Sequence, residues 1–446
     1  MFSKKIYVPL LTVFLTVASI TMLNSCKTSS PVPMIRNSAI IYNPTKSPFI
    51  PGFAVYDDND EESILSIKIR REQLFFTEAN AAGVPMASLN INVFLYNKNL
   101  NGLLCDSARY DFDIKKENTY PDFVCRVPLK IIRGASYYAV IKIADKIKKT
   151  QSTSYLDITK NDEFGSNNFR VYDHFNKKEV FERVLHPDEY INIRYPKKPA
   201  DTLYLFYYKP VTDISPAPSV LLPEVTTSDK PARMLILPAS DTLPLMFPKP
   251  GIYLFSVDST KKRGITILNF GDEYPGMSKA STMIPPLEYI ATTDEMDSLK
   301  LAENQKVALD NFWLKHAGNI EKAKELIRIY YFRVQYSNMY FTSYKAGWLT
   351  DRGMIYMLYG PPDVLQKGID TEKWGYRLPA VKSKWGDRYN TDSQYVWFTF
   401  NRNASIFTEN DYSLNRAQTP VSHWDEAVSS WRRGKVFRLD NPKEYQ

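Results

Sequence analysis

The side chains that most often do chemistry are few and far apart in this 446-residue chain. His174, His186, His316 and His423 fall in no HExxH or other paired metal-ligand spacing, and no serine stands in a GxSxG elbow. With only 17 glycines there is no phosphate-cradling run. Asp58, Asp60 and Glu62 begin like a calcium loop, but Ser63 stands where such a loop needs glycine, so a solvated turn is expected. The commoner hydrolase, metalloprotease and nucleotide-binding classes are thereby excluded, and no cofactor or metal is predicted. The densest grouping of polar and aromatic types is Gly347-Trp348-Leu349-Thr350-Asp351-Arg352. An acid beside a guanidinium could hold an anionic or sugar ligand. Asp and Thr also close turns by bonding backbone amides, and Trp usually fills cores, so a scaffold role is the expectation.

Aromatic residues reach 14% of the composition. In Tyr395-Val396-Trp397-Phe398-Thr399-Phe400, alternation puts Tyr395 and Trp397 on one face and Val396, Phe398 and Phe400 on the other. One set could stack on a glycan; packing of both faces in a core is the plainer reading. The basic end, Trp431-Arg432-Arg433-Gly434-Lys435, reads as a solvated tail, with contact to lipid headgroups as the alternative.

These elements need an address and a frame. Lys4 and Lys5 precede an apolar run from about Ile6 to Leu23, a signal-peptide layout over residues 1–25. Leu23-Asn24-Ser25-Cys26 resembles a lipobox, which implies cleavage before Cys26 and lipidation of that cysteine. Multiple acyl chains would anchor the chain stably, since each buried CH₂ contributes about 0.8 kcal/mol. No later apolar run reaches spanning length, and charged residues make up 24%. The net charge of +8 is spread along the chain and points to no nucleic acid. Lys27-Thr28-Ser29-Ser30 lacks the acidic residues that surface-exported lipoproteins tend to carry there, so the periplasmic face of the outer membrane is expected. Cys105 and Cys125 could bridge in an exported protein, an effect of about 3 kcal/mol; both could equally be buried free thiols.

Residues 26–50, rich in Ser, Pro and Asn, read as a lipidated tether. From 51 to 158, β-rich runs at Leu65 to Ile69, Leu89 to Tyr96, Ala108 to Ile114, Phe123 to Ile131 and Tyr137 to Ile143 predict an immunoglobulin-like β-sandwich. Alternation puts Leu89, Ile91, Val93 and Leu95 in its core. A second β-rich domain, 166–275, predicts another sandwich. It contains Asp201-Thr202-Leu203-Tyr204-Leu205 and Asp241-Thr242-Leu243-Pro244-Leu245, similar segments that arise by duplication or by coincidence. In 286–446, Thr292 and Glu295 form a capping-box signature ahead of a stripe at Leu299, Ala302, Leu309, Phe312 and Trp313. Asn319 can cap a second helix, giving a hairpin. Gly347 then ends a helix, Thr350 to Gly353 make a turn, and Met354 to Tyr359 read as a strand.

The run from Gly347 to Asp363 resembles the GWxTD domain, a family of exported lipoproteins of Bacteroidetes and some other bacteria. Tyr331-Phe332-Arg333 to Phe341, Glu372-Lys373-Trp374-Gly375-Tyr376 and Tyr395-Val396-Trp397-Phe398 add to the likeness, which covers roughly residues 290 to 415. Asn401 to Leu414 depart from the glycine-bearing loop of the family. The resemblance implies β-sandwich domains ahead of an α+β GWxTD module in a mainly β chain, and it brings no activity with it. The expectation is a non-enzymatic outer-membrane lipoprotein whose partners are the membrane, through Cys26, and other envelope proteins. The alternative is a glycan-binding lipoprotein.

Overall fold

The computed structural model describes residues 39–78, 83–116, 121–160, 162–196, 201–220, 230–240, 242–260, 262–378, 395–419 and 422–439. The expected signal segment, Cys26 and Lys27 to Ser30 lie outside them. Seven antiparallel strands come first: β1 (Gly52–Asp57), β2 (Glu62–Arg70), β3 (Met86–Asn97), β4 (Leu103–Lys115), β5 (Asp122–Lys130), β6 (Ala135–Asp145) and β7 (Thr150–Lys160). They form two sheets, ordered β1-β2-β5 and β4-β3-β6-β7. Alternation drives the packing: Leu65, Ile67 and Ile69 of β2 meet Leu89, Ile91, Val93 and Leu95 of β3 between the sheets, all seven without exposure. Each such burial stabilises the fold by about 1.5–3 kcal/mol. Strand β7, Thr-Gln-Ser-Thr-Ser-Tyr-Leu-Asp-Ile-Thr-Lys, has little apolar signal and is held by its eleven-residue register with β6.

Cys105 lies exposed on β4, and Cys125 is buried on β5 of the opposite sheet; both are free, so of the two readings left open the bridge does not form, and only one of the two free thiols is buried. The acidic Asp58-to-Glu62 segment is the β1–β2 turn, closed by Asn59 Oδ1 accepting from the amides of Glu61 and Glu62 at 2.9 Å.

Next come β8 (Arg170–Asp173) and β9 (Ile191–Arg194), a two-stranded sheet, then β10 (Thr202–Tyr208), β11 (Arg233–Pro238), β12 (Gly251–Ser256) and β13 (Ile265–Asn269), a sheet ordered β11-β10-β12-β13. One face, with Leu203, Leu205, Phe255 and Ile267, covers Phe169, Val171, Ile191 and Ile193, so the second layer is thin. The reverse face, with Phe206, Tyr208, Ile252 and Leu254, packs on Tyr344, Ile406 and Phe407 from the C-terminal part. Buried on both sides, β12 and β13 read as continuous apolar runs without alternation. The paired Asp-Thr-Leu segments do not share a backbone form. The first is β10, whereas the second meets β9 through a bridge from Leu245 to Ile191 and through Asn192 Nδ2 donating to Leu243 O at 2.8 Å, and Asp241 is outside the described residues.

The C-terminal part contains α1 (Thr293–Leu301), α2 (Gln305–Ala317), α3 (Ile320–Phe341), α4 (Asp351–Tyr359), a sheet ordered β14-β15-β16-β17 and α5 (Ser422–Arg432). The strands are β14 (Val364–Lys367), β15 (Thr371–Arg377), β16 (Tyr395–Arg402) and β17 (Tyr412–Leu414). The Thr292/Glu295 capping box forms, and Asn319 caps α3 by accepting from Lys322 N at 2.9 Å. The helix expected before Gly318 is divided in two, because Asn304 caps a fresh start by accepting from Val307 N. Met354 to Tyr359 are helical, correcting the expected strand. Every residue of α4 is buried, and all-round burial erases the helical period in the sequence.

Two more expectations change. Residues 39–50 of the tether are docked as a strap: Tyr42 enters the C-terminal core, 4.9 Å from the Phe341 ring and 5.4 Å from that of Trp374, while Phe49 joins the core of the first sandwich. The basic end is no solvated tail, for Trp431 is fully buried and donates to Leu358 O at 3.1 Å, and Arg432 donates to Ile290 O at 2.9 Å.

Candidate functional site

Helix α3 ends at Phe341, and a short loop brings Gly347–Leu349 back as one 3-10 turn against it. Gly347 therefore starts a turn and ends no helix. A Cβ on Gly347 would lie 1.9 Å from Ser337 O, and one on Gly353 would lie 1.9 Å from Gly347 O. Glycine is required at both positions because three backbone segments touch there. Asn338 Oδ1 accepts from Trp348 N at 3.2 Å, and Tyr289 donates to Trp348 O at 3.1 Å. The indole is 8% exposed. Thr350 caps α4: its hydroxyl oxygen accepts from Gly353 N at 3.0 Å and donates to Gly347 O at 2.7 Å. The other end of α4 is held by Arg333 of α3, which donates to Met357 O and Leu358 O.

Asp351 and Arg352 point to different neighbours. Asp351 accepts from Leu414 N at 2.8 Å through one oxygen and from the Arg416 guanidinium through the other. Arg416 also reaches Ala217 O, and Ser215 donates to Leu349 O at 2.9 Å, so the turn is clasped by the segment after β10. Arg352, 2% exposed, pairs with the fully buried Glu372 at 3.3 Å and lies 4.1 Å over the Tyr412 ring. It also donates to Asn410 O at 3.0 Å.

Glu372 accepts from Lys367 at 2.6 Å, Tyr42 at 3.1 Å and Trp374 Nε1 at 3.2 Å. Burial pushes its carboxyl pKa up, but Lys367 and Arg352 outweigh that and hold it at about 2. Burial likewise opposes the charge on Arg352 and Lys367, and Glu372 overrides it, raising both. Every member of this cluster bonds protein groups, and of its polar atoms only the buried Arg352 Nε has no hydrogen-bond partner among the described residues. Such an arrangement orients elements and leaves no reactive group facing solvent.

A family model described as the GWxTD domain matches residues 251–433. The chain carries a GWxTD domain. The matched GWxTD region begins with β12, in the sheet whose reverse face packs on the helical part. No curated protein matches the chain. A Bacteroides uniformis β-glucuronidase is 17% identical over 31% of this chain and 16% of its own, with a TM-score of 0.18. A putative β-galactosidase from Bacteroides fragilis is 13% identical over 32% and 20%, again at 0.18. A red sea bream transglutaminase is 8% identical over 50% and 31%, at the same score. The chain spans less than a third of each, and overlap so low transfers neither fold nor activity.

The GWxTD residues singled out in the sequence thus come together, with their polar groups turned inward. The histidines do not: His174 faces Asn192, His423 faces Glu426, and His316 bonds Arg432 O. Among the described residues no group of His, Cys, Asp and Glu could hold a metal ion. Tyr395 and Trp397 are half-buried neighbours, rings 5.6 Å apart, while Val396, Phe398 and Phe400 enter the core. Sequence reasoning missed Tyr42, Lys367, Glu372, Asn410 and Arg416. Glu372 carried a signal: it alternates in phase with Trp374 and Tyr376, so a charge was marked for the buried face of β15.

Proposed function

We propose that this GWxTD protein is a non-enzymatic outer-membrane lipoprotein, anchored through Cys26, that serves as a scaffold or interaction component of a cell-envelope assembly. The supporting observation is the use of the motif's polar groups. Thr350, Asp351 and Arg352 are spent on joining the segment after β10, the C-terminal sheet and, through Glu372, the strap. A motif used in this way builds one rigid carrier from several units, which suits presentation of surfaces to partners. No described helix is long and apolar enough to cross a membrane, so attachment in this reading falls to the lipid.

Crosslinking in intact cells followed by mass spectrometry tests it: a reproducible envelope partner is expected, and repeated recovery of the protein alone would overturn the assembly reading. Metabolic labelling with a fatty acid tests the anchor separately, with incorporation expected in the native chain and absent from Cys26→Ser. Protection from protease added to whole cells is expected for the periplasmic face.

A further inference from the structure

A cleft of about 400 Å³ lies where β7, the strap and the C-terminal domain meet, a size typical of small-molecule sites. Ser154 and Tyr155 of β7, Tyr340 of α3, Lys367 of β14, and Thr408 and Asn410 of the loop before β17 contribute to its walls. Every formal charge on those walls already has a partner. Lys367 pairs with Glu372 at 2.6 Å, Asp157 with Lys98 at 2.6 Å and with Arg402, and Glu409 with Arg402 at 3.2 Å. A charged ligand would have to break one of these pairs. Neutral hydroxyls and aromatic rings remain, the Asn410 side-chain amide being bonded already to Arg352, Tyr340 O and Thr342 O.

Two observations point to what such a lining takes. The Tyr340 hydroxyl is buried at the wall and has no hydrogen-bond partner among the described residues, a state that an incoming hydroxyl relieves. Tyr340 also ends a row of rings on α3. Phe332 and Tyr336 lie 6.3 Å apart at 18°, Tyr336 and Tyr340 5.8 Å apart at 16°, each pair one helical turn apart, and Phe332 is 46% exposed. The row leads from the surface into the cleft.

We propose that the cleft and this aromatic row bind a neutral oligosaccharide. The apolar faces of sugar rings stack along Phe332, Tyr336 and Tyr340, and their hydroxyls bond the uncharged polar groups of the cleft. A peptide added as a strand to the β7 edge fits less well. The strap already engages that edge, with Phe49 N donating to the Ser152 hydroxyl at 3.0 Å, and an added strand would displace it. The inference depends neither on lipidation nor on an assembly partner.

The test uses the full chain, purified in a detergent without a sugar headgroup, on an array of neutral gluco-, xylo-, manno- and chito-oligosaccharides alongside anionic ones, with calorimetry on the hits. Saturable binding of a neutral oligosaccharide is expected, with affinity insensitive to salt. Ser154→Trp, which fills the cleft, and Tyr336→Ala, at the helix surface, are each expected to weaken it by about tenfold or more. Retention of the native thermal unfolding transition in Tyr336→Ala separates loss of binding from loss of fold. The proposal is overturned if only anionic sugars bind, if none binds, if neither variant weakens binding, or if Tyr395→Ala and Trp397→Ala weaken it in their place.

Discussion

Glu372 shows how one side chain can organise a neighbourhood. Its carboxylate is the only acidic partner within reach of both Arg352 and Lys367 among the described residues. Glu372→Gln keeps the shape and removes the charge, leaving the buried Arg352 and the partly buried Lys367 uncompensated. A loss of about 3–5 kcal/mol is expected in chemical denaturation. Because the folded carboxyl sits at about 2, below its unfolded value near 4.3, the pair's stabilisation is complete above about pH 4.3 and fades as pH falls toward 2. Acid titration of the native chain should show that fading, and Glu372→Gln should flatten it. The cysteines make a second residue-scale prediction. Burial pushes the Cys125 thiol up to about 12, whereas Cys105 is exposed. Leaving Cys26 aside, a maleimide should label Cys105 in the native protein and reach Cys125 only after unfolding; equal native labelling would contradict the fold.

At the scale of elements, α4 is the part most dependent on its surroundings. It has nine residues, below the length at which an isolated helix persists, and owes its form to a cap at one end, Arg333 at the other and burial all round. Thr350→Ala removes the cap and should cost about 1–2 kcal/mol, read as a lower melting temperature. Gly353→Ala should cost more, about 3 kcal/mol or above, because the added methyl meets the backbone oxygen of Gly347, which cannot swing away. If Gly353→Ala melted like the parent chain, the close approach of the two segments would be refuted.

For the whole molecule, the strap is the element that ties the chain's start to its end. Tyr42 donates to Glu372 and its carbonyl accepts from Tyr356 at 2.9 Å, while Phe49 is anchored in the first sandwich a few residues later. Asp157 adds a second tie by pairing with Lys98 on its own sandwich and Arg402 on the C-terminal sheet. Tyr42→Ala should cost about 3–5 kcal/mol, in line with loss of a buried aromatic. It should also make the 39–50 segment sensitive to limited proteolysis, with the C-terminal domain losing more stability than the first sandwich. Equal losses in both would argue that the strap merely covers a surface.

Alternation in the sequence was enough to place the core strands of the first sandwich, since Leu89 to Leu95 can bury one face in only one register. Local hydrogen bonding was likewise enough for the Thr292 and Asn319 caps. The GWxTD pentapeptide could be recognised from its residues alone. What it does could not, because its glycines answer to backbone oxygens on other segments and Asp351 and Arg352 to partners 63 and 20 positions away. Met354 to Tyr359 looked like a strand for the same reason: burial on every side removes the periodicity by which a helix is told from a strand. Free thiols at Cys105 and Cys125, a docked Tyr42 and a packed Trp431 also followed from which distant surfaces came to face one another. That is settled by the mutual burial of several elements, which no single segment encodes.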